Sequence, residues 1–290
     1  MSQMRATAKL RQLIARPGAF MAPGVADALN AKLVARHGFE ALYMTGAGTT
    51  AVRLGMPDVG LLTMTEMADN AARIADSSPL PLIADADNGY GGVLNVRRTI
   101  QAYERAGVAA LHLEDQTFPK KCGHYDDKGI VPTAEMAQKL RAARDALSDP
   151  DFIVIARTDA IAVEGFSAAL DRAGAYGEAG ADVIFVEAPT SEAEIAAVAE
   201  RFPGWKLINM FQGGKTPLLP VARLEALGYN IVIIPSDLQR AAITAMQRAL
   251  AAIARDGSTV AMTADMASFK EREAVIDTPG YVARGKRYAS

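Results

Sequence analysis

The residues able to do chemistry in this chain stand in short clusters, most of them closing an apolar run. One cluster reads Ala84-Asp85-Ala86-Asp87-Asn88-Gly89-Tyr90-Gly91 and another His112-Leu113-Glu114-Asp115-Gln116. A third is Ala156-Arg157-Thr158-Asp159, and Glu187 and Asn209 close two more runs. Carboxylates gathered at one place repel each other unless a cation sits among them. Hard oxygen donors, with no His-rich or Cys-rich set, point to Mg²⁺ or Mn²⁺. Asp85 and Asp87 are two apart, so an extended backbone would turn both to one side. The alternative is that these Asp residues cap the helices that follow. Arg157 would clamp a substrate carboxylate in a bidentate manner, or form an internal ion pair with Glu187 or Asp159; the two roles are compatible.

Two further segments fit this chemistry. Thr45-Gly46-Ala47-Gly48-Thr49-Thr50 is made of small residues, which let backbone N–H groups approach an anion; it also reads as a tight turn opening a helix. Lys120-Lys121-Cys122-Gly123-His124 lies in a long polar loop, with Asp126-Asp127-Lys128-Gly129 after it. A loop of this length over a cleft is a closing lid. Its lone cysteine stands near a lysine and a histidine, which would lower its pKa and suit it to proton donation or attack; an incidental loop cysteine is the alternative.

These clusters need elements that bring them together. Apolar, β-branched runs at 20–23, 41–45, 81–85, 110–114, 152–157, 183–187, 206–210 and 231–235 read as strands. Ala-rich helical stretches at 26–36, 65–77, 94–106, 133–146, 166–179 and 192–201 alternate with them. Gly38, Gly107, Gly180 and Gly228 each precede a strand, where a helix C-cap needs a left-handed residue. Repeated strand–helix units imply parallel strands with right-handed crossovers. Eight of them without a phosphate-binding glycine fingerprint favour a closed (β/α)8 TIM-type barrel over a doubly wound open sheet. In such a barrel the carboxyl ends of the strands share one mouth. The expected organisation is a single domain over residues 1–290 with a less periodic C-terminal arm from about 257.

The wider composition narrows the function. Half of the 290 residues are hydrophobic and the formal net charge is −2. There is no basic stripe for nucleic acid and no apolar run of membrane-spanning length. Residues 1–18 lack a signal-peptide pattern, and one cysteine forms no disulfide framework. A cytoplasmic, soluble protein is the expectation.

Lys121-Cys122-Gly123-His124, with Leu113-Glu114-Asp115-Gln116 before it, resembles the signature of the isocitrate lyase/phosphoenolpyruvate mutase superfamily. The resemblance extends to Tyr43-Met44-Thr45-Gly46-Ala47-Gly48-Thr49, the Asp85–Asp87 segment, Ile155-Ala156-Arg157-Thr158-Asp159-Ala160, Glu187-Ala188 and Asn209-Met210, and so covers nearly the whole chain. The branch resembled holds 2-methylisocitrate lyase, 2,3-dimethylmalate lyase and oxaloacetate acetylhydrolase. The resemblance implies that Asp85 and Asp87 hold Mg²⁺, supported from behind by Asp58 and Glu114. It implies that Thr45, Gly46 and Ala47 hold an oxo-acid carboxylate, and that Gly123, His124, Arg157, Glu187, Asn209 and Arg240 bind substrate. Cys122 would be the proton donor and Tyr43 a candidate base. It also implies a homotetramer of helix-swapped pairs exchanging the last barrel helix.

The implied activity cleaves a 2-hydroxy di- or tricarboxylic acid to pyruvate and a second carboxylate. Hydrolysis or decarboxylation of oxaloacetate, a phosphonopyruvate or phosphoenolpyruvate mutase activity, and non-enzymatic binding of an oxo acid are the alternatives. Two features depart from the methylisocitrate lyases. Thr45-Gly46-Ala47-Gly48 replaces Ser-Gly-Gly-Gly, as in the dimethylmalate and oxaloacetate group, and Gln212 stands where relatives place an acid. A tail arginine that helps bind the tricarboxylic substrate has only Lys270 and Arg272 as loose counterparts.

Overall fold

The computed structural model describes residues 4–123, 125 and 127–289. In chain order the first half runs α1 (Ala6–Ala15), β1 (Phe20–Val25), α2 (Ala28–Arg36), β2 (Leu42–Met44), α3 (Gly46–Leu54), α4 (Met64–Ser77), β3 (Leu82–Asp85), α5 (Val93–Arg105), β4 (Ala110–Glu114) and α6 (Thr133–Ala146). The second half runs β5 (Ile153–Thr158), α7 (Ile161–Glu164), α8 (Phe166–Glu178), β6 (Val183–Val186), α9 (Glu192–Arg201), β7 (Trp205–Asn209), α10 (Val221–Ala226), β8 (Ile231–Ile234) and α11 (Asp237–Asp256). A 3₁₀ turn (Val260–Asp265), α12 (Phe269–Val275) and α13 (Thr278–Tyr288) follow.

The eight strands are parallel and close on themselves, with Phe20 of β1 opposite Ile231 of β8. Closure settles the choice between barrel and open sheet. Every expected strand is present within two residues of its expected bounds. The Gly caps behave as read: Gly107 has φ +79°, and Val108 and Gly107 donate to Tyr103 O and Glu104 O. Gly180, with φ +104°, closes α8 in the same way. This paired bonding uses carbonyls that the helix end leaves over.

Strand periodicity sorts the core into two layers. Outward residues such as Leu82, Ala84, Leu111, Leu113, Val154 and Ile208 pack under the helices. Inward residues Phe20, Ile83, Ala110, Ile153, Ile155, Val183, Leu207 and Ile231 fill the barrel. The amino-terminal end is plugged by α1, whose Leu10, Leu13 and Ile14 join the inner layer. Its i, i+3, i+4 pattern was legible in the sequence, but α1 was not among the expected helices. α11 is different: of its twenty residues only Ala252 is buried. Ile243, Met246, Leu250 and Ile253 are between 44% and 64% exposed. Among the described residues no helix is long and apolar enough to cross a membrane.

Candidate active site

The alternation that fills the barrel with Ile and Val also delivers the polar groups. Moving up each strand, the inward positions become Tyr43, Asp85, His112 and Glu114, Arg157, and Asn209, with Glu187 just past β6. Apart from His112, which is fully buried against Tyr43, these side chains line a cavity of about 130 Å³ at the carboxyl ends of the strands. A larger groove of about 480 Å³ involves Gln101, Glu104 and Arg105. Glu104 there is committed to the Ser148 and Asp149 amides.

The acidic cluster comes first. Asp85 Oδ1 accepts from the Asp87 amide at 2.9 Å, and Oδ2 accepts from the Gly46 amide at 3.2 Å. β3 ends at Asp85, and Asp87 lies beyond it with φ +45°. A left-handed kink, rather than a shared pleat face, therefore brings the two carboxylates together. Neither caps a helix, since α5 starts at Val93 with Gly92 before it and no side-chain cap. Lys120 Nζ lies 2.8 Å from Asp87 Oδ1 and 2.5 Å from Asp58 Oδ1. Burial pushes the Asp87 carboxyl up to about 7; Asp85 and Asp58 add to this, while Lys120 opposes it. Burial also holds Glu114 well above its ordinary value, against the pull of Arg157. Glu114 Oε1 is buried with no hydrogen-bond partner.

Arg157 realises the ion-pair reading and still lines the cavity. Its Nε and Nη2 donate to Asp159 at 2.9 and 3.0 Å, with Glu114 at 3.4 Å and Glu187 at 3.9 Å. Its guanidinium also lies over the Phe185 ring, 5.4 Å from the centroid. Lys128 Nζ reaches the same Asp159 at 2.7 Å. Against the cost of burial, Arg157 and Lys128 hold the Asp159 carboxyl far below the usual range. Asn209 Nδ2 donates to Glu187 at 3.2 Å, and its Oδ1 is buried without a hydrogen-bond partner.

Tyr43 OH and His112 Nε2 are 2.8 Å apart inside the barrel. Burial pulls the His112 imidazole down to about 4 and, helped by Asp85, pushes the Tyr43 phenol well above its ordinary value. The described residues alone therefore keep this pair neutral and leave Tyr43 un-ionised. His112 was not among the expected site residues. The signal was a polar residue two before Glu114, on the same inward face of β4.

Thr45 is the N-cap of α3 and accepts from the Gly48 amide at 3.2 Å. Both readings of this segment therefore coincide: it opens a helix, and Thr45 and Ala47 line the cavity. A Cβ on Gly46 would lie 2.3 Å from Asp85 Oδ2, so only glycine fits there without displacing the carboxylate.

The loop after β4 lies across the mouth. Thr117 donates to Gly129 O, and Gln116 bridges to Ile130 at its neck. The Gln116 amide clasps the Lys121 backbone at 2.8 and 2.9 Å. Cys122 and Gly123 line the cavity. A Cβ on Gly123 would meet Arg157 Nη2 at 2.3 Å and Glu187 Oε1 at 2.6 Å, so close approach explains this glycine. His124 lies outside the described residues. Arg240 does not join the site: it is half-exposed on α11, bonded to Gln212 O. The β8–α11 turn carries it outward, which sequence distance alone did not reveal. Arg272 stands on α12, paired with Glu273. The wall on the β7–β8 side is formed by Phe211, Ile233, Pro235 and Ser236.

A closed parallel barrel with acidic, guanidinium and thiol groups converging on its carboxyl-terminal mouth defines a (β/α)8-barrel enzyme. The sequence model of the family described as phosphoenolpyruvate phosphomutase matches residues 10–254, and the chain belongs to that family, within the PEP mutase/isocitrate lyase superfamily. It is 48% identical over 268 residues to 2,3-dimethylmalate lyase of Eubacterium barkeri, covering 92% of this chain and 93% of that one. It is 42% identical to 2-methylisocitrate lyase of Bacillus subtilis (strain 168), covering 99% and 95%. A solved structure of oxaloacetate acetylhydrolase with 3,3-difluorooxalacetate superposes with a TM-score of 0.93 at 36% identity, covering 98% and 97%.

Proposed function

We propose that this protein is a Mg²⁺-dependent carbon–carbon lyase. It splits a 2-hydroxy acid of the 2,3-dimethylmalate or 2-methylisocitrate type into pyruvate and a second carboxylate. The observation that carries this reading is the buried carboxylate pair Asp85 and Asp87 in one site with Arg157 and Cys122. Among the described residues no three His, Cys, Asp or Glu side chains form a metal cage. Mg²⁺ keeps several waters and takes one or two carboxylates, so two neighbouring carboxylates can hold it. Asp85 and Asp87 would hold it, with Asp58 and Glu114 behind them; Mn²⁺ would fit the same donors. When bound, the ion acidifies a hydroxyl and stabilises an enolate.

The chain's own residues supply the rest. The Ala47 amide in the first turn of α3 would face a substrate carboxylate as helix N-termini do, while the Gly46 amide holds Asp85 Oδ2. Arg157 commits Nε and Nη2 to Asp159, which leaves Nη1 for the departing carboxylate. Tyr43 is the candidate base: its phenol proton would first pass to His112 Nε2, 2.8 Å away, and the phenolate would then take the hydroxyl proton. The C2–C3 electron pair passes to C3 as the C2 oxygen becomes a carbonyl. Cys122 then gives its proton to C3. The apolar wall of Phe211, Ile233 and Pro235, with Gln212 exposed and Arg240 outside the cavity, supports an alkyl-bearing dicarboxylate over a tricarboxylate.

Oxaloacetate cleavage is the second reading, supported by the Thr45-Gly46-Ala47-Gly48 segment and by the likeness to oxaloacetate acetylhydrolase. The bare apolar face of α11 supports a helix-swapped oligomer, for which a tetramer is our reading, with the segment from about 257 as an arm on a single barrel domain. The single cysteine suits the cytoplasm. The deciding test is pyruvate and oxalate release from 2,3-dimethylmalate, 2-methylisocitrate and oxaloacetate, with Mg²⁺ and with excess chelator. We expect pyruvate from 2,3-dimethylmalate, abolished by chelation. Oxalate from oxaloacetate with no pyruvate from either hydroxy acid would transfer the assignment to the second reading, and full activity in chelator would remove the metal.

A further inference from the structure

The turn that carries Asp87 folds against the backbone's preference. Four of the residues from Asp87 to Gly91 have positive φ: Asp87 at +45°, Gly89 at +82°, Tyr90 at +59° and Gly91 at +140°. Two of these are not glycine, and such conformations persist only where the surroundings over-determine them. β4 follows the turn as far as Asp87, with Ala86 N donating to His112 O and Glu114 N to Asp87 O, and Gly89 N donates to Ala86 O; the buried carbonyls of Asp85, Asn88 and Gly89 each need a donor from elsewhere.

The donors come from the helices outside the barrel. Tyr103 on α5 donates its hydroxyl to Asp85 O at 3.0 Å, and the Tyr90 hydroxyl lies 3.2 Å from that of Tyr103. Thr99, one turn earlier on α5, donates to Gly89 O at 3.2 Å. Lys139 on α6 crosses to Asn88 O at 3.2 Å. Lys139 is only 3% exposed, and the nearest carboxylate is that of Glu135, 3.8 Å away and itself half-exposed. Burial lowers the Lys139 ammonium, with Glu135 opposing. A lysine buried at this cost with no close ion pair has its one short bond to the turn beside Asp87, and the mechanism above makes no use of it.

We infer that Lys139 and Tyr103 are positioning residues for the cation site, holding the Asp85–Gly91 turn from outside the barrel so that Asp87 stays beside Asp85. The inference rests on the metal reading given above. Neither residue touches the acidic side chains; both act through main-chain carbonyls. Partners behind metal ligands typically change metal affinity by about 10–100-fold when removed.

The test uses the full chain with Lys139→Met, which keeps the aliphatic stem and removes the ammonium, and with Tyr103→Phe, which removes one oxygen. Mn²⁺ and Mg²⁺ binding is measured by titration calorimetry, and melting temperature is measured in chelator. We expect metal Kd to rise about 10–100-fold in each variant, with kcat at saturating metal much less affected. A purely structural role would lower the melting temperature in chelator and leave Kd unchanged, and that result would overturn the inference. If Lys139→Met does not fold, Tyr103→Phe decides alone. If wild type binds metal and the variants bind it equally well, only this inference falls. If wild type binds no divalent ion, the metal reading falls with it.

Discussion

Gly46→Ala is the sharpest available test of how the acidic pair is held. The added Cβ would lie 2.3 Å from Asp85 Oδ2 and 2.9 Å from Asp85 Cγ. A carbon–oxygen contact is comfortable at roughly 3.3 Å, so the carboxylate must retreat by about 1 Å. It cannot do so freely, because its two oxygens accept from the Asp87 and Gly46 amides. The fold should tolerate the change: Gly46 is the first residue of α3, where alanine is at least as good a helix former, worth up to about 1 kcal/mol. The expected effect is therefore on function. A misplacement of about 1 Å costs about 10²-fold in rate, or about 2.7 kcal/mol of transition-state stabilisation. Steady-state kcat/KM for pyruvate release, read through a coupled NADH assay, should fall by that factor, and Mn²⁺ affinity should weaken. A variant within threefold of wild type in kcat/KM, with unchanged Mn²⁺ affinity, would refute the reasoning.

Cys122→Ser should fold and bind metal like wild type, because the residue is half-buried on the loop over the mouth. Pyruvate release from 2,3-dimethylmalate should slow by about 10²–10⁴-fold, the usual worth of a positioned general acid; an unchanged rate would remove Cys122 from that role. For the assembly, Ile243→Glu with Leu250→Glu places two charges on the exposed apolar face of α11. Sedimentation should show wild type as an oligomer and the double variant as smaller species; a compact, active wild-type monomer would end the proposal.

Much of the architecture was legible because it depends on local chemistry. Strand runs bounded by capping glycines such as Gly107 and Gly180 define alternating units whatever lies elsewhere in the chain. The clusters at Asp85, Glu114, Arg157 and Glu187 stood out because ionisable groups closing apolar runs are expensive to bury unless they serve each other. Helix α3 was legible only as a turn opening a helix, since Thr45-Gly46-Ala47-Gly48 has weak intrinsic helix preference and depends on its Thr45 cap.

Sequence by itself determined the alternation, the strand ends and the kinds of group that reach the mouth. Tertiary structure alone decided their pairing. Asp87 joins Asp85 through a left-handed kink that no propensity foretells, and Lys120 inserts between Asp87 and Asp58 from a loop more than thirty residues further along the chain. Arg240 is taken away from the cavity by the direction of α11, and His112 is set beside Tyr43 and Asp85 by the pleat of β4. Lys139, which reads as one more surface lysine on a helix, is buried against Asn88 O because barrel closure presses α6 onto α5. Spacing along the chain sets which way a side chain points from its own element. Which partner it meets depends on how elements distant in sequence are brought together, and only the closed barrel sets that.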